Sequence, residues 1–169
     1  FPLSGVSNTK TLVCNENGYY SIYQSDMYGF NNPNMNWERQ NIEYVLVGDS
    51  FTHGACVNRP NDISSLLSIY SKKTSINLGY EGTGPLIQYA TLKEFFPKNT
   101  KNILWFYYEG NDLYNLSTEL KKKILTKYLN DENFLQNLKN RQEDTNKIKM
   151  NFFLKELKKI EKRHIERKK

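Results

Sequence analysis

Three short apolar runs, each closed by a polar loop, constrain this chain more than any other feature in it. Ile42-Glu43-Tyr44-Val45-Leu46-Val47 ends at Gly48, residues 74–78 end at Gly79, and residues 102–108 end at Glu109-Gly110. Runs of this length, rich in β-branched and aromatic side chains, read as buried strands. Between them lie stretches with helical spacing. Residues 62–70 place Ile63, Leu66, Leu67 and Tyr70 on one face, with Asn61 or Asp62 as the N-cap. Pro85 suits the first turn of the next helix, which runs to about Phe96 before Pro97 stops it. Strand alternating with helix predicts an α/β fold whose parallel sheet is covered on both faces.

The flanks differ from this centre. Residues 1–40 are rich in Asn, Tyr, Ser and Gly and read as turns with a short edge hairpin near residues 19–24. From Ser117 onward the pattern is helical only, with Leu120, Ile124, Leu125 and Tyr128 on one stripe and a charged amphipathic helix over residues 152–165. The expected organisation is therefore a turn-rich segment (1–40), an α/β domain (41–128) and a basic helical extension (129–169). A chain of 169 residues can bury a sizeable core unaided. No apolar run approaches the roughly 18 residues of a bilayer span. The chain opens at Phe1, and the expectation is a piece of something longer, with room upstream for a signal peptide or membrane anchor.

Charge separates the body from the tail. Residues 1–120 carry 8 basic and 11 acidic groups, whereas residues 121–169 carry 16 and 7. A basic tail reads first as a solvated helix face, and otherwise as a surface for nucleic acid or anionic lipid. It lacks the interleaved aromatics and glycines of dedicated nucleic-acid binders, so no nucleic-acid partner is expected. Neither cysteine sits in a zinc-ligand pattern, and no metal or cofactor is expected. Cys14 and Cys56 are compatible with a disulfide in an oxidising compartment or with two buried thiols, and the sequence leaves both open.

The candidate chemistry lies where the strands end, because ligands of open parallel sheets bind outside their carboxyl ends. Gly48-Asp49-Ser50-Phe51-Thr52-His53-Gly54, residues 77–82 and Glu109-Gly110-Asn111-Asp112 all leave those ends. Ser50, Gly82 and Asn111 are thereby directed to one crevice. A serine Oγ attacking an acyl group creates an oxyanion that needs two or three donors. The Ser50 N–H, the Gly82 N–H and the Asn111 amide suit that role. A serine also needs a base. His53 lies on the same turn, with poor local geometry for the task, and His164 lies in a lysine-rich helical stretch. Asp49 and Asp112 read as loop-fixing carboxylates and Glu109 as a rim residue. Nothing matches a phosphate-binding G-x-x-x-x-G-K-[ST] loop, and Thr52 replaces the second glycine of a G-x-S-x-G elbow.

The three blocks resemble those of the SGNH (GDSL-type) hydrolase superfamily. Val45-Leu46-Val47-Gly48-Asp49-Ser50-Phe51 is similar to the nucleophile block, residues 77–82 to the block of the oxyanion glycine, and Gly110-Asn111-Asp112 to the block of the oxyanion asparagine. Glu109 stands where the usual G-x-N-D has its first glycine. Ser25-Asp26-Met27-Tyr28-Gly29-Phe30-Asn31-Asn32-Pro33 and Tyr107-Tyr108-Glu109-Gly110-Asn111-Asp112 look like a bacterial subgroup of SGNH-like proteins. The resemblance implies a three-layer α/β/α sandwich and a metal-free ester hydrolase or acyltransferase. Ser50 would be its nucleophile, and Ser50, Gly82 and Asn111 its oxyanion hole. It implies a small-molecule, carbohydrate or lipid ester as substrate and a location in the bacterial envelope. The family's closing Asp-x-x-His does not occur here, which implies a catalytic histidine beyond residue 169. A non-catalytic SGNH-like binding or assembly module is the alternative.

Overall fold

A computed structural model describes residues 1–166. Its centre is strand β3 (Ile42–Val47), flanked in parallel by β4 (Ser75–Asn77) and by β5 (Thr100–Trp105). Ile42, Val45, Leu46 and Val47 are all buried, so both faces of β3 are covered, as its unbroken apolar run requires. Between β3 and β4 the chain forms α1 (Ser50–His53) and α2 (Ile63–Ser71), and between β4 and β5 it forms α3 (Pro85–Phe95). Asp62 caps α2 by accepting the Ser65 N–H at 3.0 Å, and Pro85 occupies the first turn of α3. The protein is thus mixed α/β with a parallel sheet.

The third strand departs from expectation. It stops at Trp105 rather than reaching Tyr108, and Ile103, Trp105, Phe106, Tyr107 and Tyr108 are exposed rather than core. The reason is position. β5 lies at one edge of the sheet with β3 alone beside it and, unlike the buried edge strand β4, leaves its side chains uncovered, a difference that apolar composition does not reveal.

The turn-rich N-terminus is a wall of the core. β1 (Lys10–Leu12) pairs antiparallel with β2 (Ile22–Gln24), so the predicted hairpin reaches further upstream than residues 19–24. Cys14 and Cys56 form a disulfide, Cα atoms 5.3 Å apart, tying the hairpin to the segment after α1. Phe30 is fully buried against Phe95 of α3. The buried Asp26 carboxylate accepts from the Tyr28 and Phe30 N–H groups, Asn32 Nδ2 and Trp37 Nε1, all within 2.9 Å.

Three further helices follow: α4 (Asp112–Glu119), α5 (Lys123–Asn130) and α6 (Gln142–Glu166). Helical structure begins at Asp112, ahead of the predicted Ser117. Glu119 of α4 accepts the Gly84, Leu86 and Ile87 N–H groups at 2.6–3.2 Å, supplying a carboxylate to the free donors that open α3. Leu125 and Tyr128 of α5 complete the core, and the Tyr128 hydroxyl donates to Glu94 of α3 at 2.5 Å. The beginning of α6 is fastened to the body, through Gln142 to the Gly5 carbonyl and Asn146 to Ser7.

Candidate functional site

Ser50 begins the single turn of α1, immediately beyond the central strand. The turn is built by its neighbours. A Cβ on Gly48 would fall 2.1 Å from Thr52 Oγ1 and 3.0 Å from the Phe106 carbonyl, so no side chain fits there. Asp49 Oδ1 accepts the Phe51 N–H at 3.0 Å, and the Asp49 carbonyl accepts the His53 N–H at 2.9 Å. Gly54, at φ 77°, ends the turn in the left-handed conformation. Ser50 itself is half-buried, and its hydroxyl has no hydrogen-bond partner among the described residues.

The other two loops close on this turn from either side. The Gly48 carbonyl accepts the Tyr80 N–H at 3.2 Å and the Thr83 hydroxyl at 3.4 Å. Gly79 lies flush on α1, where a Cβ would sit 2.6 Å from the His53 nitrogen. Gly82 has φ +67° and nothing within 4 Å of its Cβ direction, so its constraint is conformational and its surroundings are open. On the β5 side, the Phe106 N–H bonds the Val47 carbonyl at 2.8 Å, and the Tyr108 ring packs on Phe51 at 4.9 Å. Buried Asp112 accepts the Tyr108 N–H at 2.7 Å, which fixes the loop carrying Asn111. Asn111 precedes α4, its Oδ1 is buried without a partner, and its amide side chain faces the Asp49 carboxylate.

Ser50 opens into a cleft of about 450 Å³, shared with Phe51, Gly54, Glu16, Glu81 and the Cys14–Cys56 bridge. Gly82 and Asn111 do not line it. Asn111 belongs instead to the Asp49 side of the turn, beside a second, apolar hollow of about 190 Å³ formed by Asp49, Phe51 and residues 106–108. The serine turn therefore stands between two concavities, one acidic and one aromatic. Glu109 is exposed.

His53 faces elsewhere. It is 2% exposed, with its ring edge-on to Tyr23 at 4.9 Å and tilted against Tyr80 at 5.6 Å. Neither ring nitrogen has a hydrogen-bond partner, no bond joins it to Ser50, and Nδ1 lies 3.7 Å from Glu81 Oε1. The ring lines a separate cavity of about 80 Å³ with Tyr23, Tyr80 and Glu81, so Glu81 is a wall common to this cavity and the Ser50 cleft. His164 is exposed on α6, far along the chain from the described loops.

Burial raises the Asp49 carboxyl above its usual range. The Phe51 N–H opposes the shift, the nearby Asp112 charge adds to it, and the Asn111 amide opposes it again. Burial, and then Glu81, raises the Tyr80 phenol, while burial lowers the Lys149 amine, whose Nζ sits 4.8 Å from the Tyr80 ring centre. Tyr23, Tyr80, Glu16, Glu81 and Lys149 received no role from the sequence. Glu81, placed between the glycine-bearing positions of the second loop, is the one whose location was visible there.

Among the described residues no group of three or more His, Cys, Asp or Glu side chains is arranged to hold a metal ion, and no helix is long and apolar enough to cross a membrane. No family model matches the chain, and no curated protein or solved structure matches it at a significant level.

Proposed function

We propose that this chain carries the nucleophile and oxyanion donors of an SGNH-type serine ester hydrolase or acyltransferase, built on a three-layer α/β/α sandwich. One observation carries the reading. The Ser50 hydroxyl is unbonded, faces a cleft at the end of the central parallel strand, and is flanked by the two loops that hold Gly82 and Asn111. Ser50 Oγ attacks the acyl carbon of an ester, and its proton passes to a base. The carbonyl oxygen becomes an oxyanion held by the Ser50 and Gly82 N–H groups and the Asn111 amide. The alkoxide then leaves with a proton from the same base. Water, or an acceptor hydroxyl, releases the acyl group in the second half-reaction.

His53 turns towards Glu81 and does not serve as that base in this arrangement. The reading places the catalytic histidine outside residues 1–169. Two carboxylates, Glu16 and Glu81, line the cleft, which disfavours an anionic substrate and suits a neutral carbohydrate acyl ester or small lipid ester. The Cys14–Cys56 bridge supports an extracytoplasmic setting.

Fluorophosphonate labelling mapped by mass spectrometry, with hydrolysis of activated esters by a longer chain and its Ser50→Ala variant, tests this. Labelling confined to Ser50 and loss of turnover in Ser50→Ala support it. Equal turnover by both proteins sinks it. The orientation of the His53 ring towards Glu81 rather than Ser50, which leaves the serine without a base among the described residues, favours a second reading, a non-catalytic SGNH-like binding or assembly module. That reading predicts no labelling in the longer chain and partner binding that survives Ser50→Ala.

A further inference from the structure

The exposed half of α6 has two unlike faces. Over residues 150–160 the helix carries Met150 (43% exposed), Phe153 (55%), Leu154 (47%), Leu157 (38%) and Ile160 (57%). At helical spacing these five fall within an arc of about 120°. The opposite face presents Lys155, Lys158, Lys159 and Arg163, all exposed, with Glu156 bonded to Lys159 at 2.6 Å. Phe152 stands on the basic side, while Glu161 and His164 lie at the carboxyl end of the apolar arc. Residues 147–166 hold seven basic and three acidic side chains. No other element of the described residues covers the apolar stripe.

We infer that α6 is a surface-lying anchor that beds its Met150–Phe153–Leu154–Leu157–Ile160 stripe into the interface of an anionic lipid bilayer. A helix with a lysine-rich polar face and an aliphatic and aromatic opposite face lies in the plane of the lipid headgroups, where apolar burial and attraction to anionic lipid act together. Its basic flank selects the occupant. In a pair of α6 helices the seven basic side chains of residues 147–166 would face seven more with only three acidic side chains on each copy, a charge excess that opposes self-association. A negatively charged lipid surface satisfies both faces at once.

The geometry gives the anchor a direction. Asn146 and Gln142 hold the start of α6 to the body, and Lys149 lies over the Tyr80 ring, next to the Glu81 that walls the Ser50 cleft. The helix therefore leaves the body beside that cleft. The inference does not depend on the ester reading, because lipid binding is measured without turnover.

The test is flotation of the full chain with phosphatidylcholine vesicles, with and without phosphatidylglycerol. Binding to the phosphatidylglycerol vesicles alone, weakening as sodium chloride is raised, is the expected result. Lys155→Gln and Lys158→Gln should each reduce the partition coefficient about fivefold. Phe153→Glu with Leu157→Glu should abolish flotation while circular dichroism stays that of the parent, since both side chains are exposed. No flotation with phosphatidylglycerol overturns the inference, as does equal flotation with both vesicle types. A dimer in sedimentation velocity that Leu157→Glu dissociates also overturns it, because a second copy then covers the stripe.

Discussion

The side-chain amide of Asn32 pairs with the peptide of Asn77 as a neighbouring strand would. Asn32 Nδ2 donates to the Asn77 carbonyl at 2.9 Å, and the Asn77 N–H donates to Asn32 Oδ1 at 2.8 Å. Asn32 is held in turn by Asp26, and the Asn77 side chain passes the connection on to the Thr52 carbonyl at 2.7 Å. A chain of buried amides thus runs from the N-terminal segment to the turn that carries Ser50. Asn32→Ala leaves a buried N–H and C=O unpaired and should lower stability by roughly 2–4 kcal/mol. Asn34→Ala, at an exposed site, is the control and should change it by less than about 1 kcal/mol. Urea denaturation of both variants checks the contrast.

The Cys14–Cys56 bridge spans 42 residues of sequence. Loop-closure arithmetic gives about 4 kcal/mol of stabilisation for a loop of this size. A Cys14→Ser, Cys56→Ser variant should show a loss of that order in urea. The parent measured in a thiol reductant should fall to the same stability.

Gly79 and Gly82 make opposite demands. Gly79→Ala places a methyl against backbone atoms of His53 and Thr52 and should destabilise by several kcal/mol or prevent folding. Gly82→Ala meets open space and costs about 1 kcal/mol for its positive φ. Thermal unfolding of the pair should rank them in that order.

The Asp49 carboxyl has a raised pKa in the folded chain, chiefly from burial. Between the unfolded value and this higher one the native state binds more protons than the unfolded state. The contribution of Asp49 to stability is therefore greatest below the unfolded pKa and declines as pH rises towards the folded value. Asp49→Asn keeps a side chain able to cap α1 and removes that titration. Its stability relative to the parent should rise with pH across the acid range and then level off. Denaturation curves taken from mildly acidic to neutral pH test the slope, and a constant difference would contradict the assignment.

Local physics made part of this architecture readable. β3 is buried on both faces, so its apolar run is continuous, and the glycine and serine that follow it mark the turn. Asp62 and Pro85 act within a few residues of themselves, and both stand where their chemistry demands. What escaped the sequence acts over distance. Asn32 reaches across 45 residues to Asn77, and Glu119 crosses 35 to Gly84, with no periodicity to announce either. The exposed aromatics of β5 and the following loop resemble core residues because periodicity reports apolar character, not whether a neighbouring strand exists. The same holds for the site. The order of Ser50, Gly82 and Asn111 along three strand ends was visible. The turn of His53 towards Tyr23 and Glu81 depends on the hairpin folding over it.

The three strand ends do not share equal support. β3 has a hydrogen-bonded strand on each side, whereas β4 and β5 have one apiece, and the outer side of β4 is closed instead by the side chains of Asn32 and Asn36. The limb holding Ser50 is therefore the slowest of the three to open, and its amides should exchange with deuterium last. Of the other two limbs, the one that follows β5 and carries Asn111 has a hydrogen-bonded partner on one side alone, and its strand amides should be the first to exchange.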